Sequence, residues 1–216
     1  MLDVHAPHGA AHSWRDFLVH IAAIAIGLCL ALALEELAEY VHERRQLTEA
    51  RRELVREIAA NRASWTNNVA EASRIQKELE ADLKVIRDLR ARATATGGKL
   101  DYSVHFYAAF DGPWQAVRQG SSLTLMPHEE LQTYAWFHAI LASLMESMHA
   151  FESTVQIGGA IAASAAPESL SGRDLDELAA KTMEAQGRLE NLKMFLGFEE
   201  GGLSQLEAAG HKSSKR

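Results

Sequence analysis

The sequence predicts an all-α protein in which an N-terminal transmembrane helix continues into a long stalk helix, packed distally by an antiparallel helical bundle. Three observations predict this fold. The stretch from Phe17 to Leu34 is apolar throughout and carries no formal charge. No glycine or proline occurs from Leu28 to Thr96, and the 216-residue chain has only 4 prolines. Beyond the apolar stretch, apolar residues recur at steps of three or four, as they do on one face of an α-helix.

Residues 1–13 are predicted to be disordered. They contain Pro7 and Gly9 and lack a helical apolar pattern. His5, His8 and His12 could gather a metal ion, since His8 and His12 would lie one helical turn apart. We interpret their placement as chance and predict neither a metal site nor a bound cofactor.

The transmembrane helix is predicted over residues 14–34. Its stretch of 18 residues without formal charge, Phe17 to Leu34, just suffices for the hydrocarbon core, which takes about 17–25. Trp14 and Arg15 precede it, where an indole ring and a cation would anchor the helix at the headgroups. A cleavable signal peptide is the alternative, because Ala31 and Ala33 resemble a small-x-small cleavage site. The single basic residue ahead of the segment argues against cleavage.

One face of the predicted span carries small residues. Ala23, Gly27 and Ala31 are four apart, the spacing that allows two membrane helices to approach closely. The spacing favours self-association, although an alanine-rich segment also produces it by chance.

The orientation of the span in the membrane is predicted from the basic residues, which are concentrated after the span at Arg44, Arg45, Arg51 and Arg52. This bias favours a single-pass protein whose C-terminal body faces the cytoplasm.

The stalk helix is predicted over residues 35–96, ending at Gly97-Gly98. Its apolar stripe resembles that of a coiled-coil or bundle helix and comprises Leu47, Leu54, Ile58, Trp65, Val69, Ala72, Ile75, Leu79, Leu83, Ile86 and Leu89. Asn61, Asn67 and Asn68 lower the local helix propensity, and such residues can mark a bend.

The rest of the chain is predicted to complete the bundle. Residues 97–126 form an irregular linker with one short helix, which opens at Asp111-Gly-Pro-Trp114. Residues 127–200 form a helical hairpin. Its first helix is apolar nearly all round at 134–145, which favours a central, buried position. Its second helix begins at a capping-box-like pair, Ser171 and Asp174, and buries Leu175, Leu178, Met183, Leu189, Leu192 and Leu196. Residues 201–216 are predicted to be a flexible tail.

No pattern predicts catalysis. Glu39 with His42 and Glu146 with His149 are Glu-x-x-His pairs of the kind found in di-iron bundles, but the expected packing keeps the two pairs far apart. The single cysteine, Cys29, lies in the apolar segment, so no disulfide can form within one chain. The net charge of −7 argues against a nucleic-acid partner.

Several short motifs lie between Trp14 and Arg62. They are Trp14-Arg-Asp-Phe-Leu18, Ile26-Gly-Leu-Cys-Leu-Ala-Leu-Ala-Leu-Glu-Glu36, Val41-His-Glu-Arg-Arg45 and Arg52-Glu-Leu-Val-Arg-Glu-Ile-Ala-Ala-Asn61. Together they resemble a group of uncharacterised bacterial single-pass membrane proteins, and Trp114 to Pro127 resembles a second stretch of that group. Cys29 and the Glu35-Glu36 pair differ from its commoner form. The resemblance implies a bacterial inner-membrane location and no particular activity.

Two functions remain open from the sequence. The first is a membrane-anchored helical interaction or scaffold protein that contacts the lipid bilayer and acts as a homo-oligomer or as an accessory subunit of a membrane protein partner. The second is a ligand-sensing bundle in which the 97–126 segment and its aromatic residues form a pocket. An enzyme is not expected, because no acid, base or nucleophile has a recognisable spacing.

Overall fold

A computed structural model describes residues 14–91 and 99–213, and all regular structure in those ranges is helical. The elements are α1 (Trp14–Arg90), α2 (Gly112–Gln119), α3 (Ser122–Leu125), α4 (His128–Ala163) and α5 (Gly172–Ser213), with a 3₁₀ turn at Pro167–Ser169 before α5. The predicted all-α class is confirmed. The predicted disorder of residues 1–13, with His5, His8 and His12, lies outside the described residues, as does Gly97-Gly98 at the predicted end of the stalk.

The chain divides into two compact units, Met1–Glu49 and Ala50–Arg216. In the first, the N-terminal unit, every side chain from Trp14 to His42 is exposed. The helix there satisfies its own backbone hydrogen bonds but buries no side chain against the described part of the chain. The second unit, the body, has an apolar core.

Three long helices form the body: α1 from Ala50 onward, α4 and α5. Helices α4 and α5 are antiparallel, since Gly202 lies against Phe137 and Asn191 donates to Ser147. Helix α4 runs parallel to α1, and α5 runs antiparallel to it. The contacts that establish these directions are Arg51 with Glu130, Glu57 with His138, Arg62 with Glu207 and Lys193 with Gln76. The hairpin thus packs along α1 as a helical bundle.

A seven-residue repeat organises the core of the body. On α5 the buried positions alternate in steps of three and four: Leu175, Leu178, Thr182, Ala185, Leu189, Leu192, Leu196, Glu199, Leu203 and Leu206. On α4 they include Tyr134, Phe137, Leu141, Leu144, Met148, Phe151 and Val155. A mean step of 3.5 residues keeps one seam of each helix facing its neighbours along the whole length.

Helix α5 extends well beyond its predicted end. Residues 201–216 were expected to form a flexible tail, but α5 continues to Ser213 and buries Leu203 and Leu206. The helix does not end at its glycines. One of them, Gly202, instead allows α5 to approach a neighbouring helix closely. A Cβ added at Gly202 would lie 2.7 Å from Phe137 Cδ2, so only glycine fits there without a shift.

Two expectations about buried faces also change. Helix α4 is not buried all round, since Trp136 is 50% exposed, and it presents one core-facing stripe. Met183 was assigned to the core of α5 but is 56% exposed, whereas its neighbour Thr182 is buried.

The start of α5 follows the prediction. Asp174 N donates to Ser171 Oγ (3.2 Å) and Ser171 N donates to Asp174 Oδ2 (2.9 Å), so both residues cap the helix reciprocally.

Candidate functional site

The exposed apolar helix of the N-terminal unit contains all the site residues predicted from the sequence. Trp14 stacks on Phe17 with ring centroids 5.3 Å apart, and both rings remain exposed. Arg15 follows on the same exposed first turn. Trp14 thus lies at the start of the apolar segment, the position at which tryptophan is enriched in membrane-spanning helices.

The small-residue face of the same helix is open. Ala23, Gly27 and Ala31 are all exposed, and nothing in the described chain lies within 4 Å of a Cβ placed on Gly27. One helix among residues 14–91 and 99–213, α1, is long and apolar enough to cross a membrane. Core helices and signal sequences meet the same criterion, but a core helix would be mostly buried, whereas this window is 0% buried.

In the body, residues 99–111 are here called the strap. They precede α2 in the sequence and run extended along α1. Polar side chains of α1 hold the backbone of the strap. Asn61 and Asn68 each donate to a strap carbonyl, of Phe110 (2.8 Å) and Tyr107 (2.9 Å), and each accepts the N–H of that same residue (2.8 Å in both). Further bonds join His105 N to Glu71 (2.9 Å), Arg74 to Ser103 O (3.0 Å) and Asp101 N to Asp82 (3.1 Å).

The pairing of Asn61 with Phe110 and of Asn68 with Tyr107 follows from the rise per residue of a helix and of an extended chain. Asn61 and Asn68 are seven residues apart, which is about 10.5 Å along an α-helix at 1.5 Å per residue. Phe110 and Tyr107 are three residues apart, which is about 10 Å in an extended chain at 3.3–3.4 Å per residue. The two spacings agree, so one heptad of α1 matches three residues of the strap.

Two aromatic side chains attach the strap to the other helices. The Tyr102 ring lies against Gly158 and Gly159 of α4, where a Cβ on Gly158 would be 2.9 Å from the ring. The Tyr102 hydroxyl is 2.6 Å from Thr182 Oγ1 on α5, and burial raises the pKa of Tyr102 to about 12. Phe106 meets Phe151 of α4 edge-on, with centroids 5.9 Å apart.

A buried cluster, here called the tryptophan cluster, continues from the strap. The Trp114 ring stacks on the imidazole of His138 (centroids 4.8 Å apart, planes 2° apart) and on Tyr134 (6.0 Å). Trp114 N donates to Glu57 Oε2 (2.8 Å). Glu57 Oε1 lies 2.8 Å from His138 Nε2, although neither atom makes a hydrogen bond. Buried polar groups gathered in this way favour one arrangement of the helices.

Among the carboxyl groups of the body that have displaced pKa values, three lie beside the strap or in the core seam of α5. Desolvation raises the pKa of Asp82, below the strap, to about 6. Desolvation also raises the pKa of Glu199, in the core seam of α5, to about 7. The carboxyl of Glu71 has a lowered pKa because Arg74 donates to it. Displaced pKa values occur at functional sites and also in structural networks, and here each group faces packed helices or the strap.

An open groove lies between α1 and α5. It has a volume of about 230 Å³ and is lined by Trp65, Val69, Ala72, Ser73, Lys193, Leu196, Gly197 and Glu200. The Trp65 indole donates to Leu196 O (2.9 Å), which fixes the ring at one side. Among the aromatic residues of the 97–126 segment that were expected to form a pocket, Trp114 is part of the tryptophan cluster, and Tyr102 and Phe106 pack against α4.

Sequence reasoning found the apolar anchor but missed the strap. Asn61 and Asn68, interpreted as bend-marking residues, instead pair with backbone, and Glu57 and Asp82 are also buried. The available signal was the spacing of Asn61, Asn68 and Asp82, which fall at multiples of seven together with the apolar residue Ile75. Within residues 14–91 and 99–213 no three His, Cys, Asp or Glu side chains are grouped as metal ligands would be.

Comparison with known proteins adds no relative. No family model, no curated protein and no solved structure matches the chain.

Proposed function

We propose that the chain is a single-pass membrane protein that acts through protein–protein contacts of its helical body, with no catalytic role. The exposed apolar helix carries this proposal. Leu28 and Leu30 are each 60% exposed and Ile24 is 68% exposed, and all three lie in an uncharged segment of membrane-spanning length. An apolar surface of this extent is stable only when lipid or another chain covers it.

The bacterial inner membrane is the proposed location, with the body in the cytoplasm. The resemblance of the motifs between Trp14 and Arg62 to bacterial single-pass proteins supports the location. The excess of arginine after the span supports the orientation.

Membrane integration is tested by alkaline carbonate extraction of cell membranes. Unaltered protein is expected in the pellet. Replacing Ile24 and Leu28 together by lysine should move it to the supernatant, since each cation near the centre of a span costs about 2.5–3.5 kcal/mol on insertion scales. Val55→Lys, which changes an equally exposed apolar residue of the body, should leave it in the pellet. Release of unaltered protein would refute the anchor, and protease accessibility of the C-terminus in spheroplasts reports the orientation.

The proposed partner is a second copy of the chain or another membrane protein. Close helix packing through Ala23, Gly27 and Ala31 would be driven by van der Waals contact between small residues. Gly27→Leu is expected to reduce crosslinked oligomers or the co-purified partner severalfold. Ala25→Leu, on the opposite face, should not. Recovery of monomer alone, with nothing co-purifying from gentle detergent, would contradict the interaction role.

A ligand-binding role is the second candidate, and the groove beside Trp65 favours it. Apolar walls flanked by Lys193 and Glu200 suit a small amphipathic molecule. Such a ligand should quench or shift Trp65 fluorescence and raise the melting temperature, and Trp65→Phe should abolish the fluorescence response. A thermal-shift screen without a stabilising compound would count against this role.

A further inference from the structure

The strap occupies a groove whose chemistry is that of a peptide-binding site. All the α1 hydrogen bonds described above to strap residues 101–110 go to strap backbone atoms and not to strap side chains. Asn61 and Asn68 each satisfy both the N–H and the C=O of one residue, as a neighbouring β-strand would. Such bonds recognise extended conformation and do not depend on the sequence that adopts it.

Part of the floor of this groove is polar and part is apolar, since Leu100 and Tyr102 of the strap pack against a core cluster formed by Ile86, Leu170, Leu175 and Leu178. Under the strap, Asn61 is fully buried and Asn68 and Asp82 are nearly so. None of the thirteen strap residues, 99–111, reaches the buried class itself. Release of the strap would exchange its backbone hydrogen bonds for bonds to water, which changes the free energy much less than exposing a packed apolar seam. Opening also costs the apolar contacts of Leu100, Tyr102 and Phe106 with the core. No strap residue is itself buried, whereas α5 buries ten side chains, and segments with fewer buried apolar contacts open locally more readily.

Side-chain selectivity would come from the two aromatic contacts. Tyr102 fits the flat surface that Gly158 and Gly159 leave on α4 and reaches Thr182. Phe106, four residues later, meets Phe151. Where an extended peptide binds a groove, backbone hydrogen bonds provide affinity and pockets for side chains provide specificity. Here the backbone bonds come from α1 and the two aromatic contacts come from α4 and α5.

We propose that this groove is a binding site for an extended polypeptide segment of another protein, and that the strap is its displaceable internal occupant. The expected ligand carries two aromatic residues four positions apart and leaves its backbone free to bond to Asn61 and Asn68. The inference rests on the proposed function, because it identifies the surface through which the body would contact a partner.

A synthetic peptide with the strap sequence, residues 99–111, tests the proposal against the full chain in detergent micelles. The peptide carries a fluorophore, and binding is followed by anisotropy. The unaltered chain should bind weakly, because its own strap competes at high effective concentration. The chain with Tyr102→Ala and Phe106→Ala, whose strap lacks both aromatic contacts, should bind at least tenfold more tightly. Asn68→Ala added to this variant should weaken binding at least tenfold.

A control peptide is N-methylated at the positions of Tyr107 and Phe110, which removes the two N–H groups that the asparagines accept. It should not bind. Equal affinity for the unaltered and the doubly substituted chain, or no binding to a doubly substituted chain that keeps its near-ultraviolet circular dichroism, would overturn the proposal. Either result would leave the carbonate-extraction and co-purification tests of the proposed function unaffected.

If the double substitution prevents folding, hydrogen exchange on the unaltered chain tests instead whether the strap opens. The amides of Asp101, His105 and Tyr107 should exchange at least tenfold faster than those of the α5 core seam, because the strap opens without the bundle. Exchange of both sets at one common rate would show that the strap is an integral part of the core and would overturn the proposal.

Discussion

Four buried polar residues of α1, Glu57, Asn61, Asn68 and Asp82, contact the segments that pack on it. Glu57 is fully buried and accepts a hydrogen bond from Trp114 N at the start of α2. Its other oxygen lies beside His138. A polar group in such a position stabilises one arrangement, because a shift of either helix would leave it without a partner.

Removal of the Glu57 carboxylate should therefore be costly. We expect Glu57→Ala to lower the free energy of unfolding by about 3 kcal/mol, since it leaves the Trp114 N–H buried without an acceptor and removes the carboxylate that lies 2.8 Å from His138. Glu53→Ala, one turn earlier in a surface pair with Arg56, should change it by less than about 1 kcal/mol. Urea unfolding of the full chain in micelles measures both. A cost for Glu57→Ala no larger than that for Glu53→Ala would show that the cluster is not structurally important.

Glu199 should make the body more stable in mild acid. Its pKa is raised from 4.5 to about 7 because burial penalises the charged carboxylate. Between these two pH values the native state binds more protons than the unfolded state, so this group's contribution to stability grows as the pH falls through 7 and levels off near 4.5.

The test of this dependence compares two neighbouring glutamates. Glu199→Gln cannot titrate, so it should be more stable than the unaltered chain at pH of about 8 and should lose part of the pH dependence. Glu200→Gln, at an exposed position, should retain it. Urea midpoints measured from about pH 5 to about pH 8 report the difference, and parallel curves for Glu199→Gln and the unaltered chain would refute the assignment.

At the scale of the elements, the helices were predictable, including the short α2 that begins after Asp111, and the course of the strap was not. Periodic apolar residues and the Ser171–Asp174 cap indicated α1, α4 and the start of α5, because these signals are local. The strap has no local signal, since its conformation depends on side chains of α1 some 19 to 49 residues earlier. The end of α5 was predicted wrongly near Gly202 for a related reason. In the sequence, a glycine needed for close packing cannot be told from one that ends a helix.

The adjacent glycines Gly201 and Gly202 should respond to alanine in opposite ways. Gly202→Ala would place a methyl group against the buried Phe137 ring, and we expect a loss of about 1–3 kcal/mol from overpacking. Gly201→Ala meets nothing within 4 Å and should gain about 0.5–1 kcal/mol from helix propensity. Thermal unfolding followed at 222 nm distinguishes them. The same sign for both substitutions would contradict the packing of α5 against α4.

At the scale of the whole molecule, the two units have different sources of stability. The body buries apolar seams from three helices. The N-terminal unit buries no described side chain from Trp14 to His42. Its helix is therefore expected to depend on apolar surroundings, in which internal backbone hydrogen bonds are strongly favoured over unsatisfied ones.

The two units should accordingly unfold separately in micelles. Amides of residues 17–34 are expected to stay protected from hydrogen exchange at urea concentrations that fully expose the amides of α4 and α5. Mass spectrometry of peptic fragments would follow both sets in one experiment. Simultaneous loss of protection would mean that the units form one cooperative structure.

The match of seven helical residues to three strap residues restricts how this protein can change length over evolutionary time. A single insertion in α1 between Asn61 and Asn68 would turn the second asparagine by about 100° around the helix axis and away from the strap. The contacts survive only if whole heptads are added to α1, α4 and α5 while the strap gains three residues. The body can thus lengthen or shorten between these contacts only by such coordinated steps, and a chain of intermediate length would lose the asparagine contacts to the strap.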